Sequence, residues 1–199
     1  MAGAFNLPQD DADLRAERAS ANFDIRHRFV ISSLSNVPFI SRFNEARGAK
    51  GLLLGGWQFA SISTYQTGQP FTVNTDFDVN GDGNLTDRLN RMDGFIETDR
   101  GPQRLILPDF FFRAGAFQNG KVGRNTFRAR GVAKTDFTLV KTFRVKEAQS
   151  LVFRVEAFNA WNRTHFGIPV RILEAPSFGR SVNTSLPARQ VQFALKYVF

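Results

Sequence analysis

The residues best suited to chemistry lie in one polar segment near the middle of the chain. Asp76, Asp78 and Asn80 occupy alternate positions, Gly81 follows, and Asp87 comes six residues later. This spacing fits the calcium-loop pattern D-x-[DN]-x-[DN]-G-x5-E, with Asp in place of the final Glu. Hard cations prefer such oxygen ligands, and Gly permits the sharp turn. The spacing predicts a calcium site at Asp76, Asp78, Asn80 and Asp87; the alternative is a loop whose turns simply need Asp, Asn and Gly.

A second group of polar residues lies on predicted strands. Arg154 and Glu156 are two positions apart and so share one strand face. They would either contact a substrate from the lumen of a barrel or form a structural charge ladder with a neighbouring strand, and the structural interpretation is favoured. The residues predicted to face a wet lumen are Asp136, Arg154, Glu156, Gln192 and Lys196.

Several functional classes are disfavoured by composition. The chain has no Cys, which excludes a disulfide scaffold, a thiolate metal site and a Cys nucleophile. Its two histidines, His27 and His165, are predicted to be loop or interfacial residues. No Ser-His-Asp, Walker or paired-carboxylate pattern is present, so we expect no enzymatic activity and no cofactor other than the calcium ion.

The positive charge of the chain does not indicate nucleic-acid binding. There are 26 Lys and Arg against 18 Asp and Glu, a formal net charge of +8. These residues are spread along the chain, and no recognition helix or zinc-finger spacing accompanies them. A group of arginines at 88, 91, 100 and 104 falls in a long predicted loop, where it would attract acidic ligands or remain solvated.

Alternation of apolar and polar residues predicts the elements that position these side chains. Residues 190–199 place Val191, Phe193, Leu195, Tyr197 and Phe199 on one face. Similar patterns predict strands in 27–37, 55–67, 133–145 and 150–161. Tracing them as the up-and-down strands of a barrel gives strands over 24–37, 54–73, 132–146, 150–162 and 188–199, with long loops at 74–131 and 163–187. The first of these strands is apolar on both faces, so its register stays open.

These strands fit a bilayer better than a soluble sheet. The alternating stretches 55–67, 133–145 and 150–161 reach 12–13 residues, whereas soluble strands are usually about 5–6 residues long. Trp57 and Tyr65 are about 26 Å apart along a strand at about 3.3 Å per residue. With a strand tilt of about 40°, they would lie roughly 20 Å apart in depth, close to the separation of two aromatic girdles. Short and long connections alternate, as in barrels that have short periplasmic turns and long outer loops.

The chain also resembles a known family in six segments that cover most of its length. They are LRAERASANFDIRHRFV (14–30), LLGGWQFASISTYQTGQPFTV (53–73), DVNGDGNLTDRLNR (78–91), GRNTFRARGVAKTDFTLVKTF (123–143), FRVEAFNAWNRTHFG (153–167) and VQFALKYVF (191–199). Together they resemble the C-terminal barrel part of Oar-like TonB-dependent transporters of the outer membrane of Gram-negative bacteria. The last strand, ending at Phe199, is similar to the signal that such barrels present to their assembly machinery.

The resemblance implies an all-β fold in which about five antiparallel strands form the C-terminal segment of a transmembrane barrel. Residues 1–23 would be the remnant of an outer loop, and residues 24–199 the barrel segment. The family's plug and TonB box are not found, so TonB would act only through a missing plug and the chain is expected to be a fragment. Lipid and the assembly machinery are the expected partners. A porin-like barrel and a soluble β-sandwich binding module remain alternatives.

Overall fold

The computed structural model describes residues 7–37, 48–85, 87–93, 105–146 and 149–199. The chain divides into two compact units. We call the described parts of residues 28–66, 132–164 and 187–199 the sheet unit, and those of residues 1–27, 67–131 and 165–186 the loop unit.

The sheet unit is one antiparallel sheet of five strands. In chain order they are β1 (Arg28–Asn36), β2 (Trp57–Gln66), β7 (Val132–Lys146), β8 (Gln149–Phe158) and β9 (Gln190–Val198). Their order in the sheet is also β1-β2-β7-β8-β9, so each strand pairs with the neighbour expected of a meander. The predicted all-β architecture with five antiparallel strands is therefore confirmed.

Two predicted strands are too long, and local backbone geometry explains both. The strand predicted over 54–73 ends at Gln66, because the chain leaves the sheet through Gly68. A Cβ at Gly68 would lie 1.8 Å from the carbonyl oxygen of Ala129, so only Gly allows this close approach. The strand predicted to end at 162 stops at Phe158, because Asn159 follows with a φ of 48°. That left-handed conformation cannot continue a strand.

The register left open for the first strand is fixed by its pairing with β2. Phe29 lies opposite Tyr65, and Ile31 lies opposite Ser63. The side chains of directly paired residues share a face, so these positions join the face that carries Trp57 and Tyr65. In the same unit a short helix, α1 (Ala49–Leu54), precedes β2. None of the helices in the described ranges is sufficiently long and apolar to cross a membrane.

The loop unit contains two small sheets and a hydrophobic core. The strand pairs are β3 (Pro70–Phe71) with β6 (Phe127–Arg128), and β4 (Asn90–Arg91) with β5 (Phe111–Phe112). A single 3₁₀ turn, Pro108–Phe110, leads into β5. The buried core is formed by Phe71, Val73, Leu89, Ile106, Phe111, Val122, Phe127 and Phe178.

This core accounts for phenylalanines that the strand patterns left unexplained. Phe111 makes edge-to-face contacts with Phe127 and Phe178, with ring centroids 5.6 Å apart in each pair. Such contacts stabilise by about 0.5–1.5 kcal/mol beyond burial of the rings. The described part of the loop predicted at 74–131, residues 165–186 of the loop predicted at 163–187, and residues 7–23 therefore belong to a packed unit that joins three separate stretches of the chain.

The neighbouring residues Phe111 and Phe112 provide a matched test of this core. Phe111 is 5% exposed, whereas Phe112 is 45% exposed. We predict that Phe111→Ala destabilises the loop unit by about 3–5 kcal/mol, because the ring leaves a cavity. Phe112→Ala should change stability by no more than about 0.5 kcal/mol. Hydrogen exchange of amides in the loop unit would measure both effects, and equal losses of protection would contradict the assigned core.

Candidate functional site

The register of the five long strands separates the sheet into two faces of different chemistry. One face, which we call the apolar face, carries Phe59 and Leu139 as a direct pair, and Val155 opposite Phe193. All of these residues belong to one row across the sheet, because Leu139 also lies opposite Val155. The other face is called the charged face. It carries seven charged residues in the registered pairs: Arg28, Lys134, Asp136, Arg144, Arg154, Glu156 and Lys196.

All five residues predicted to face the lumen lie on this charged face. The side chains of Arg154 and Glu156 form an ion pair of 2.7 Å between Nη2 and Oε1. Glu156 Oε2 also accepts a hydrogen bond of 2.5 Å from Gln192 Nε2 on the neighbouring strand. Lys196 lies on the same strand as Gln192, opposite Val152. The arrangement joins two strands through polar side chains, as in the predicted structural ladder, although its cross-strand member is Gln192.

Asp136 makes a different set of contacts on the same face. Its Oδ2 accepts a hydrogen bond of 2.8 Å from Lys134 Nζ, two residues earlier on β7. Its Oδ1 accepts one of 2.9 Å from the backbone N–H of Asn159, the residue that follows β8. Asp136, on β7, therefore holds the C-terminal end of β8 against β7. The Asn159 side chain extends this network by donating to the carbonyl oxygens of Arg163 and Pro187.

Apart from the irregular end of β7 beyond Arg144, the apolar face has one charged residue in its registered pairs, Lys141, and the fold encloses it. Lys141 is 1% exposed, and its ammonium donates to the carbonyl oxygen of Gly55. The Nζ atom lies 5.3 Å from the ring centre of Trp57 and 4.8 Å from that of Phe143. Both distances fall within the range of cation–π attraction. The long aliphatic stem of Lys141 thus stays on the apolar face, while its charge reaches Gly55, just before the first residue of β2.

Three of the four predicted calcium ligands accept hydrogen bonds from the backbone of one loop, and the fourth, Asp76, makes a different contact. Asp78 accepts hydrogen bonds from the backbone N–H groups of Gly81 (2.7 Å), Asp82 (3.1 Å) and Gly83 (2.9 Å). Asn80 Oδ1 also accepts from Asp82 N, at 3.1 Å. Asp87 also accepts hydrogen bonds from the backbone of this loop.

Asp87 Oδ2 accepts hydrogen bonds from the backbone N–H of Asn80, at 3.0 Å, and of Val79. Asp76 lies apart from these bonds, where its own N–H donates to Glu174 Oε2 at 3.0 Å.

Asp87 is the most buried carboxylate of this loop, at 1% exposure. Burial raises the pKa of its carboxyl above the ordinary value, the N–H groups of Asn80 and Val79 oppose the rise, and the charges of Asp82 and Asp78 add to it. Its second oxygen, Oδ1, is buried without a hydrogen-bond partner. Over the described residues, no three His, Asp or Glu side chains are arranged to hold a metal ion. The calcium assignment at Asp76, Asp78, Asn80 and Asp87 therefore stays a prediction.

A buried ion cluster in the loop unit has no counterpart in the sequence interpretation. Glu17 Oε1 lies 2.7 Å from Arg88 Nη1, and Glu17 Oε2 lies 3.2 Å from Arg124 Nη1. The Glu17 and Arg88 side chains are only 10% and 6% exposed. Gln9 adds to the cluster, because its Oε1 accepts from the backbone N–H of Arg88 at 2.8 Å. These contacts bind the N-terminal segment to the parts of the loop unit that contain Arg88 and Arg124.

Arg88 consequently differs from its predicted role as a solvated or ligand-attracting arginine of an outer loop. It is buried against Glu17, whereas Arg91 is exposed. Arg100 and Arg104 lie outside the described residues. His27 is exposed, but His165 is 4% exposed in the loop unit and its carbonyl accepts from Ser185. Sequence alone could not reveal the Glu17 cluster, because its members are 71 and 107 residues apart.

Comparison with protein families gives a match over most of the chain. The family model described as "Outer membrane beta barrel domain" matches residues 2–192. No curated protein and no solved structure matches significantly. The matched range includes all of the strands described above except the last six residues of β9.

The Glu17 cluster predicts that replacing Glu17 with an uncharged residue loosens the N-terminal segment. Glu17→Gln removes the charge shared by Arg88 and Arg124 and leaves a buried guanidinium without its partner. We expect a loss of about 3 kcal/mol in the stability of the loop unit, the lower end for a broken buried ion pair.

The exposed Asp11 provides the control, because Asp11→Asn removes the same charge from the same segment. Its expected effect is at most about 0.5 kcal/mol. Hydrogen exchange over residues 9–17 would measure both variants. Equal protection in the two variants would show that the cluster does not hold this segment.

Proposed function

The chain belongs to the outer membrane beta barrel domain family, and from that premise we propose that it forms part of the wall and outer loops of a TonB-dependent transporter. Its location is the outer membrane of a Gram-negative bacterium. The role in uptake is the proposed step. The sequence resemblance to Oar-like transporters supports it, and the family excludes the alternative of a soluble binding module.

The wall function is supported by the distribution of charge across the sheet. Apart from the irregular end of β7 beyond Arg144, seven charged residues share the charged face and only Lys141 carries charge on the apolar face in the registered pairs. A barrel in lipid has an apolar outside and a polar inside. The apolar face therefore contacts lipid, and the charged face with Arg154, Glu156 and Gln192 lines the lumen. Enclosure of Lys141 by Trp57 and Phe143 removes its charge from the lipid.

The receptor function is supported mainly by the order of the loop unit. A ligand that binds to loops must order them first, and a loop with a fixed conformation avoids that entropic cost. The loop unit has a core of eight buried apolar residues and the Glu17 ion cluster, so it presents a fixed surface. That property suits selective binding of a substrate. We propose no catalytic step for these residues.

Three partners follow from the proposed role. Lipid covers the apolar face. The two edge strands of the sheet, β1 and β9, each have one neighbour among the described strands. Each therefore needs a further strand to pair its free backbone N–H and C=O groups in a bilayer. The assembly machinery would recognise β9 together with Phe199, which follows it and is 91% exposed. TonB would act through a plug, which is a separate element from the strands described above.

Adjacent residues of β9 allow a matched test of the lipid-facing assignment. Phe193 lies on the apolar face in the central row of the sheet, and Gln192 lies on the charged face. We predict that Phe193→Arg destabilises the folded protein in lipid vesicles by about 2–4 kcal/mol, the cost of an Arg at the bilayer midplane. Gln192→Arg should be close to neutral, because it faces the lumen and retains a donor for Glu156. Urea titration in vesicles measures both, and a larger loss for Gln192→Arg would reverse the assignment.

Uptake that depends on TonB is the direct test of the transporter function. In a strain lacking the gene for this chain, we expect impaired growth on at least one scarce nutrient, and recovery when the gene is restored. Recovery should disappear when TonB is also deleted, because an energised transporter needs that coupling. Recovery without TonB would indicate a porin-like barrel. Growth equal to that of the parent strain on every nutrient would indicate a structural role and contradict the proposal.

A further inference from the structure

The helix α1, which leads into β2, ends in three consecutive leucines that are exposed. Leu52, Leu53 and Leu54 are 50%, 63% and 39% exposed. Contiguous apolar side chains are uncommon on surfaces that meet only water, and they mark a contact with an apolar partner. These leucines lie outside the five long strands, so the lipid-facing assignment of the apolar face does not account for them.

The edge of the sheet next to α1 has the aromatic residues of a membrane interface. Trp57, the first residue of β2, pairs with Lys141 near the end of β7. The adjacent row of the same face, closer to this edge, holds Phe143, Leu151 and Tyr197. Trp and Tyr concentrate at the depth of the lipid headgroups in membrane proteins, and barrels carry girdles of them. The edge at which α1 enters the sheet is therefore at headgroup depth.

Two side chains of the apolar face hold the C-terminal end of α1. The indole Nε1 of Trp57 donates a hydrogen bond of 3.1 Å to the carbonyl oxygen of Leu53. The ammonium of Lys141 donates to the carbonyl oxygen of Gly55, the residue that follows the helix. The last carbonyl groups of a helix have no partner within it, so these bonds satisfy them and also fix the position of the helix end. The end of α1 is thus attached to the apolar face and continues its surface.

Leu52 has different surroundings from the two leucines that follow it. It lines a cavity of about 740 Å³ at the same edge, together with Asn36, Gln58 and Arg144 of the charged face. A cavity with amide and guanidinium groups suits water or a polar molecule better than an acyl chain. The apolar contact is therefore assigned to Leu53 and Leu54.

We propose that the end of α1 is an interfacial membrane anchor in which Leu53 and Leu54 enter the boundary between headgroups and acyl chains. The inference rests on the proposed contact of the apolar face with lipid, because Trp57 joins these leucines to that face. Lys50 precedes them by three and four positions, so it shares their side of the helix and meets the phosphates of phospholipid headgroups.

An anchor of this kind sets the depth of the strand that follows it. Interfacial helices place their apolar side about 5–10 Å into the boundary of headgroups and acyl chains. Residues anchored at the interface also determine how a membrane segment sits in a bilayer of given thickness. Since Trp57 begins β2 and is bonded to α1, the anchor fixes this end of β2 at the membrane surface.

Single cysteines allow a direct test, because the chain has no Cys. Leu53→Cys and Leu54→Cys would each carry a fluorescent label in the whole chain, folded in phosphatidylcholine vesicles. Quenching by brominated acyl chains reports contact with lipid, and quenching by iodide reports contact with water. Phe193→Cys is the control for the apolar face. Asn36→Cys is the control for water, because Asn36 is exposed at the same edge on the charged face.

We expect brominated lipid to quench the labels of Leu53→Cys and Leu54→Cys at least about twofold more than that of Asn36→Cys, because the leucines lie at the acyl boundary. Iodide should give the opposite order. Anionic phosphatidylglycerol in the vesicles should increase lipid quenching in Leu54→Cys, because it attracts Lys50. Adding Lys50→Gln to that variant should abolish the increase.

Four results would contradict parts of this account that can be told apart. Iodide quenching in both leucine variants equal to that in Asn36→Cys, with Phe193→Cys still quenched by lipid, would overturn the anchor and leave the lipid-facing sheet intact. Protection of both leucine positions from both quenchers would overturn it as well, by showing that a plug or a second copy of the chain covers them. An anionic-lipid effect that persists with Lys50→Gln would remove Lys50 from the contact. Failure of lipid to quench Phe193→Cys would contradict the proposed barrel wall itself.

Discussion

Satisfaction of backbone hydrogen bonds in lipid is the constraint on which the sheet depends. A bilayer core offers no water, so every N–H and C=O that crosses it must pair with a neighbouring strand. The antiparallel pairing from β1 to β9, with one register shift between Arg144 and Lys146, meets that requirement between the strands. Once the pairing is fixed, the period of two assigns each side chain to a face. The concentration of charge on one face, and the enclosure of Lys141 on the other, both follow from that assignment.

The loop unit obeys a different constraint, because water is available to it and a core must stabilise it. Short strands of two residues bring Phe71, Phe111 and Phe127 together, and Phe178 comes from a separate loop. The Glu17 cluster then binds the N-terminal segment to the same unit. Long loops of this kind would otherwise have a high conformational entropy. A fixed conformation is what a surface that selects one substrate requires.

Sequence reasoning succeeded where a local pattern carries the information. The alternation in 133–145 predicted nearly all of β7, and the polar positions from Asp136 to Lys196 were placed together on one face. It failed where contacts join distant positions. Nothing near Phe111 in the sequence indicates Phe178, and nothing near Glu17 indicates Arg124. The open register of β1 needed its partner Tyr65, since both of its faces are apolar.

The most direct test of the account is the accessibility of alternate residues along β9. The chain has no Cys, so single cysteines at residues 191–197 can each carry a spin label without background. Relaxation by oxygen, which dissolves in lipid, should be strong at 191, 193, 195 and 197. Relaxation by a water-soluble nickel complex should be strong at 192, 194 and 196. A profile with no period of two, or one with the two reagents exchanged, would contradict a barrel wall with this face toward lipid.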